Sequence, residues 1–188
     1  MQNKRMIVGI SGASGVALAL ALLEAMREVP GWETHLVLSR AAERTLAHES
    51  SLSPAAVRQL ASHSHEPEDI GAALASGSFR TEGMIIVPCS MKSLAGIACG
   101  YAENLLLRAA DVCLKERRQL ILAVRESPLH ALHLENMLRL ARLGAVIMPF
   151  MPAFYAQPQT LDDCVHHFAG RLMESFGIEV PGMYRWQG

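Results

Sequence analysis

The sequence predicts an α/β domain built on a parallel sheet with helices on both faces, and three observations predict it. Short apolar runs alternate with stretches of helical length along nearly the whole chain. The central runs are continuously apolar rather than alternating, as strands read when helices cover both faces of a sheet. The first run ends in a glycine-rich turn that opens directly into an Ala/Leu-rich stretch, the strand, loop, helix order of a right-handed crossover unit. No repeat or linker interrupts the 188 residues, so one domain, 1–188, is expected.

Each element has its own signal. Met6 to Ile10 is an apolar run ending in glycine and serine, and Val16 to Glu28 reads as a helix. Thr34 to Ser39 repeats the strand signal. Ala41 to Glu49 and Ala55 to Ala61 are helical, the latter introduced by Ser53 as cap and Pro54 in its first turn. His63 to Arg80 is polar and Gly/Ser-rich without clean periodicity, which predicts mostly loop holding at most a short helix. Gly83 to Pro88 is the most strand-like segment, and an apolar helix follows it. Leu107 to Arg118 is a charged helix. Gln119 to Val124 and Ala145 to Met148 supply two further buried strands, separated by a helix near Leu129 to Leu143, and Thr160 to Phe176 closes the fold with a helix capped at Gly177.

Composition excludes some classes of function. Seventeen basic residues against 18 acidic ones give a formal net charge of −1, so wholesale binding to nucleic acid is not expected. A hydrophobic fraction of 51% with 19% charged residues is apolar for this length, which predicts a homo-oligomer covering further apolar surface. Cys89, Cys99, Cys113 and Cys164 show neither CxxC spacing nor the density of a disulfide scaffold, and fit a reducing cytoplasm. The uncharged stretch from Met6 to Leu23 imitates a signal peptide or membrane span. Gly9, Ser11, Gly12, Ser14 and Gly15 break it, and no small-residue cleavage site precedes Glu24, so neither is expected.

In open parallel sheets ligands dock outside the carboxyl ends of the strands, so the loops there are the candidate sites. Gly9-Ile-Ser-Gly-Ala-Ser-Gly15 follows a strand and opens a helix, and its backbone N–H groups with the helix dipole can cradle a phosphate. The spacing is not G-x-G-x-x-G, and the second strand ends Leu38-Ser39-Arg40 with no carboxylate for a ribose diol, which argues against a nicotinamide cofactor. Pro88-Cys-Ser-Met-Lys-Ser93 offers hydroxyls and backbone N–H groups after a central strand, while Cys89 itself reads as a small buried apolar residue. Arg125 and Glu126, directly after a strand, place a phosphate clamp beside a candidate proton carrier, with a plain ion pair as the alternative. Arg108, Asp111 and Lys115 have the spacing of a salt-bridged solvated helix face, although Lys115 could instead meet a phosphate. Pro149 to Tyr155 is a stiff loop ending in an aromatic pair. The eight histidines, including His130 with His133 and His166 with His167, show no ligand set of familiar spacing, so no metal is expected.

Taken together, G-I-S-G-A-S-G, P-C-S-M-K-S, R-A-A-D-V-C-L-K-E-R-R, R-E-S-P-L, H-L-E-N-M-L and P-A-F-Y resemble the UbiX-type flavin prenyltransferases, in order and over residues 7–171. The resemblance is nearest to members that accompany phenolic-acid decarboxylases. It implies a flavodoxin-like, Rossmann-like three-layer fold, reduced FMN as prenyl acceptor, and a cytoplasmic homododecamer with sites at subunit interfaces. It also implies a metal-independent reaction joining dimethylallyl phosphate to the flavin at N5 and C6, the product serving a UbiD-type decarboxylase. By position, Gly12, Ala13, Ser14, Ser39, Ser90, Met91, Lys92, Ser93 and Arg125 match flavin contacts. Tyr155 and Arg171 match prenyl-phosphate contacts, Lys115 and Glu126 further active-site residues, and Arg108 an arginine of the same region. Phe150, Ser93 and Ser127 depart from the usual pattern. Two other readings stand beside this one: a non-catalytic FMN-binding accessory subunit, and a flavin-dependent cysteine decarboxylase of the same fold, whose P-M-N-x-x-M-W signature is absent.

Overall fold

The structure is a computed structural model that describes residues 3–186. Six strands form one sheet in the order β3-β2-β1-β4-β5-β6, and every adjacent pair is parallel. The strands are β1 (Lys4–Ile10), β2 (Trp32–Leu38), β3 (His63–His65), β4 (Gly83–Cys89), β5 (Gln119–Val124) and β6 (Val146–Ile147). The helices are α1 (Val16–Arg27), α2 (Arg40–Glu49), α3 (Pro54–Arg58), α4 (Met91–Ala98), α5 (Leu105–Lys115), α6 (Ala131–Arg142) and α7 (Leu161–Glu174).

Alternate strand residues face two cores. Met6, Val8 and Ile10 of β1 with Leu36 and Leu38 of β2 pack under α1, α2, α3 and α7. Ile7, Val37, Met84, Ile86, Leu120 and Leu122 face α4, α5, α6 and a 3-10 turn at Ala73–Ala75. Both faces of the central strands are therefore apolar, which explains their unbroken hydrophobic runs. Each such side chain contributes about 1.5–3 kcal/mol on full burial. Gly83 opens β4 at φ +153°, and a Cβ there would lie 2.2 Å from the Gln119 carbonyl oxygen, so only glycine fits against β5.

Two expectations need correction. His63–His65 is a strand, not loop; this three-residue polar edge pairs with β2 through backbone bonds that its sequence pattern does not signal. Ala145 to Met148 is not a buried strand. Only Val146 and Ile147 pair, at the other edge, and Val146 is exposed. The last helix ends at Glu174, with Gly177 beyond it at φ +70°.

The sheet order reverses at β1. The chain first winds outward through β2 and β3, then returns to the other side with β4, leaving a crevice at the carboxyl ends of β1 and β4. On α6 only Leu140 is buried, whereas Leu132, Leu134, Leu138 and the adjoining Leu143 all stand exposed. Among the described residues no helix is long and apolar enough to cross a membrane.

Candidate functional site

The loops at the reversal point are tied together before any ligand enters. Ser11 is buried; its hydroxyl donates to the Pro88 carbonyl at 2.8 Å and accepts from the Ser90 N–H at 2.7 Å. The Arg125 N–H donates to the Cys89 carbonyl and the Ser39 N–H to the Ile10 carbonyl, each at 3.0 Å. Loops after β1, β2, β4 and β5 thus share one frame. Ser39 caps α2 by accepting from the Ala42 N–H, and Ser90 caps α4 by accepting from the Ser93 N–H.

Between these helix heads lies a cleft of about 430 Å³. Gly12, Ser39, Ser90, Lys92 and Ser93 line it, so five of the residues matched to flavin contacts share one cavity. Ala13 and Ser14 adjoin Gly12, and Met91 is half-buried at the start of α4. Arg40 and Arg44, which the sequence reading did not select, also line the cleft. Arg40 is bound by Glu43, Glu66 and Glu68, whereas among the described residues Arg44 and Lys92 make no ion pair. Gly12 faces Ala41 so closely that a Cβ would sit 2.4 Å from the Ala41 Cβ, so the bare backbone sets the wall of the cavity. The volume, the two helix N-termini and the unpaired cations suit a flavin mononucleotide.

One expectation about the glycine loop is corrected here. The amides at the head of α1 are not open to a phosphate, because Glu49 Oε2 accepts from the Gly15 N–H at 2.8 Å and the Val16 N–H at 2.9 Å. Burial pushes the Glu49 carboxyl up, but hydrogen bonds from Ser14, Val16 and Gly15 with the nearby Arg125 charge outweigh it and hold the group below its ordinary value. An internal carboxylate therefore fills the positive end of this helix. Sequence reasoning missed Glu49 because an acidic residue at the end of a helix 34 residues away carries no signal of this contact.

Tyr155 and Arg171 come together in a second hollow of about 280 Å³, walled by Met148, Pro149 and Phe168. The Tyr155 ring stands edge-on to His167 at 6.2 Å and tilted against Tyr184 at 5.8 Å. Phe150 meets Phe168 edge-on and packs against the core behind this hollow. Arg171 pairs with Glu174 at 3.2 Å. By strand order, Arg125 and Glu126 leave β5 between the loop after β4, which builds the cleft, and the loop after β6, which builds the hollow. Both are exposed, and the Glu126 carboxylate accepts from the N–H of the adjacent Ser127 at 3.0 Å.

Lys115 and Arg108 are not brought to either cavity of the same chain. Leu106 and Leu107 of α5 line the cleft, but Lys115 lies about 12 Å further along the helix axis, where it pairs with Glu116 rather than Asp111. Arg108 donates to the Ala75 carbonyl at 3.2 Å and to Asp111 at 2.6 Å. Cys89 is fully buried with its thiol pushed up to about 12 by desolvation, so it is no nucleophile at neutral pH.

Three comparisons place the chain among known proteins. Residues 1–173 match the family described as Flavoprotein. The chain is 52% identical over 187 residues to flavin prenyltransferase UbiX of Escherichia coli (strain K12), covering 98% of this chain and 99% of the relative. It superposes with TM-score 0.96 and 54% identity on a dodecameric FMN-dependent UbiX-like decarboxylase from Escherichia coli O157:H7, covering 98% of this chain and 100% of that one. It superposes with TM-score 0.97 and 44% identity on AnUbiX (PadA1) in complex with FMN and dimethylallyl pyrophosphate, covering 100% and 99% of the two chains.

Proposed function

The chain belongs to the UbiX-type flavin prenyltransferases, and from that premise we propose that it joins the dimethylallyl group of dimethylallyl phosphate to N5 and C6 of reduced FMN, making prenylated FMN for a UbiD-type aromatic-acid decarboxylase. The observation that carries this reading is the pairing of a flavin-sized cleft bearing unpaired cations with a second hollow that presents Tyr155 and Arg171, both at the carboxyl edge of the sheet.

When bound, reduced FMN supplies the electron-rich ring positions that accept the prenyl carbons. The protein's residues position the reactants and manage their charge. The allylic C–O bond breaks with its electron pair leaving on phosphate, so the leaving oxygens must be neutralised while water is kept away. Arg125, Tyr155 and Arg171 carry that duty from the loops after β5 and β6 and from α7. Gly12, Ala13, Ser14, Ser39, Ser90, Met91, Lys92 and Ser93 would hold the flavin. Glu126 would manage the protons together with the departing phosphate: one leaves the ring as each of the two bonds forms, and one is added to the prenyl double bond, whose π electrons make the second bond. Arg44, Lys92 and the heads of α2 and α4 give the flavin cleft a positive lining made of side chains and backbone, consistent with a metal-independent reaction.

Lys115 and Arg108 enter such a site from a neighbouring copy. The dodecameric relative and the exposed leucines of α6 support a homo-oligomer, with twelve copies as its size. The four cysteines are all unpaired, which supports a reducing, cytoplasmic setting.

Anaerobic protein with reduced FMN and dimethylallyl phosphate should release phosphate and yield a flavin heavier by one prenyl group in mass spectrometry; dimethylallyl pyrophosphate run in parallel identifies the preferred donor. An unchanged flavin mass with FMN demonstrably bound overturns the reading in favour of an accessory FMN carrier.

A further inference from the structure

The amino edge of the sheet carries a cluster that the flavin chemistry does not use. Strand geometry puts Glu33 and His35 on one face of β2, and the parallel register sets His63 of β3 opposite His35. The candidate donor atoms of Glu33, His35 and His63 all lie within 4.8 Å of one another. His35 is only 5% exposed, and its Nε2 has no hydrogen-bond partner. A buried ring nitrogen left this way has lost its water without gaining a partner, which a native fold seldom tolerates unless something binds there.

We propose that Glu33, His35 and His63 bind a divalent first-row transition cation of the zinc type. The other nitrogen of His35 supports this. Nδ1 lies 3.1 Å from His65 Nε2, and when it donates its proton there, Nε2 is left with a free lone pair aimed into the cluster.

Glu33 supplies the anionic donor. Its Oε1 accepts from Asn3 at 3.1 Å, and its Oε2 lies 4.0 Å from His35 Nε2. Two donors on one zinc ion stand about 3.3 Å apart, so the cluster must close slightly. His63 is exposed and stacked on His35 at 4.7 Å between ring centroids, so its ring must turn edge-on to reach the ion. Arg5 touches Glu33 Oε2 at 3.4 Å and shares this carboxylate with the cation, which limits affinity. Two imidazoles and one carboxylate select zinc-like ions over magnesium or calcium, with water completing the shell. Glu33 lies about 16 Å along β2 from the carboxyl edge, so the ion pins edge strand β3 without entering the flavin cleft.

Untagged protein titrated with zinc against a chromophoric chelator should bind one ion per chain with a Kd below about 10 μM. His63→Ala and Glu33→Gln should each weaken binding at least tenfold, and cobalt should give a visible ligand-field absorption that His63→Ala abolishes. His166→Ala, on exposed α7 surface, should bind like the parent. Absence of stoichiometric binding, or equal binding by the parent, His63→Ala and Glu33→Gln with unchanged circular dichroism, overturns the proposal, as does equal loss in His166→Ala.

Discussion

Glu49 and Gly15 meet across 34 residues of sequence, the carboxylate accepting the backbone N–H of a glycine whose φ of +106° no other residue adopts readily. The pair fixes α1 against the end of α2 and gives the first crossover unit its shape.

The first prediction concerns that carboxylate. Its folded pKa is depressed below the ordinary 4.5, so its contribution to stability is complete above that value and is lost as pH falls through the folded one. Glu49→Gln should cost about 1 kcal/mol at pH 7, in the middle of the capping range because the group is solvent-accessible. Urea denaturation should show the gap from the parent closing as pH drops below 4.5. A gap independent of pH would mean the charge contributes nothing.

Gly12→Ala tests the wall of the cleft. The new methyl would meet Ala41 at 2.4 Å and push the loop off α2. FMN affinity, read from quenching of flavin fluorescence, should fall at least tenfold (about 1.4 kcal/mol) while circular dichroism stays that of the parent.

Arg125→Ala and Glu126→Gln should separate binding from chemistry. The arginine variant should weaken FMN binding and slow prenyl transfer together, whereas the glutamate variant should retain FMN and lose rate, about 100-fold for a proton carrier. Near-normal turnover in both would remove this loop from the mechanism.

Cys89→Ala should keep prenyl transfer within about twofold and cost about 1 kcal/mol of stability for the lost buried volume. Iodoacetamide at pH 8 should label exposed Cys99 and leave Cys89 untouched, because the thiol pushed up to about 12 holds its proton. Rapid labelling of Cys89 would contradict this.

The sequence exposed what depends on local pattern. Buried runs such as Gln119 to Val124 and the cap at Ser53 stand out because their physics is contained in a few neighbouring residues. Three features were hidden because their cause is distant. His63–His65 becomes a strand only by borrowing the edge of β2, so its polar composition gives no warning. Glu49 reads as an ordinary helix end until the fold brings it to Gly15. Lys115 reads as one more cation of the site, but α5 carries it to the far end of its own chain. The histidines of β2 and β3 were discounted as metal ligands for the first of these reasons: without the β2–β3 pairing, His35 and His63 are merely 28 positions apart.

The exposed leucines on and just after α6 tie stability to protein concentration in a homo-oligomer that covers them. Leu132, Leu134, Leu138 and Leu143 are each more than half exposed on an isolated copy, and each contributes about 1.5–3 kcal/mol only when something covers it. Where another copy covers these leucines, contact between copies adds to the burial each chain achieves alone, so the melting midpoint should rise with protein concentration; a midpoint independent of concentration would mean they stay exposed.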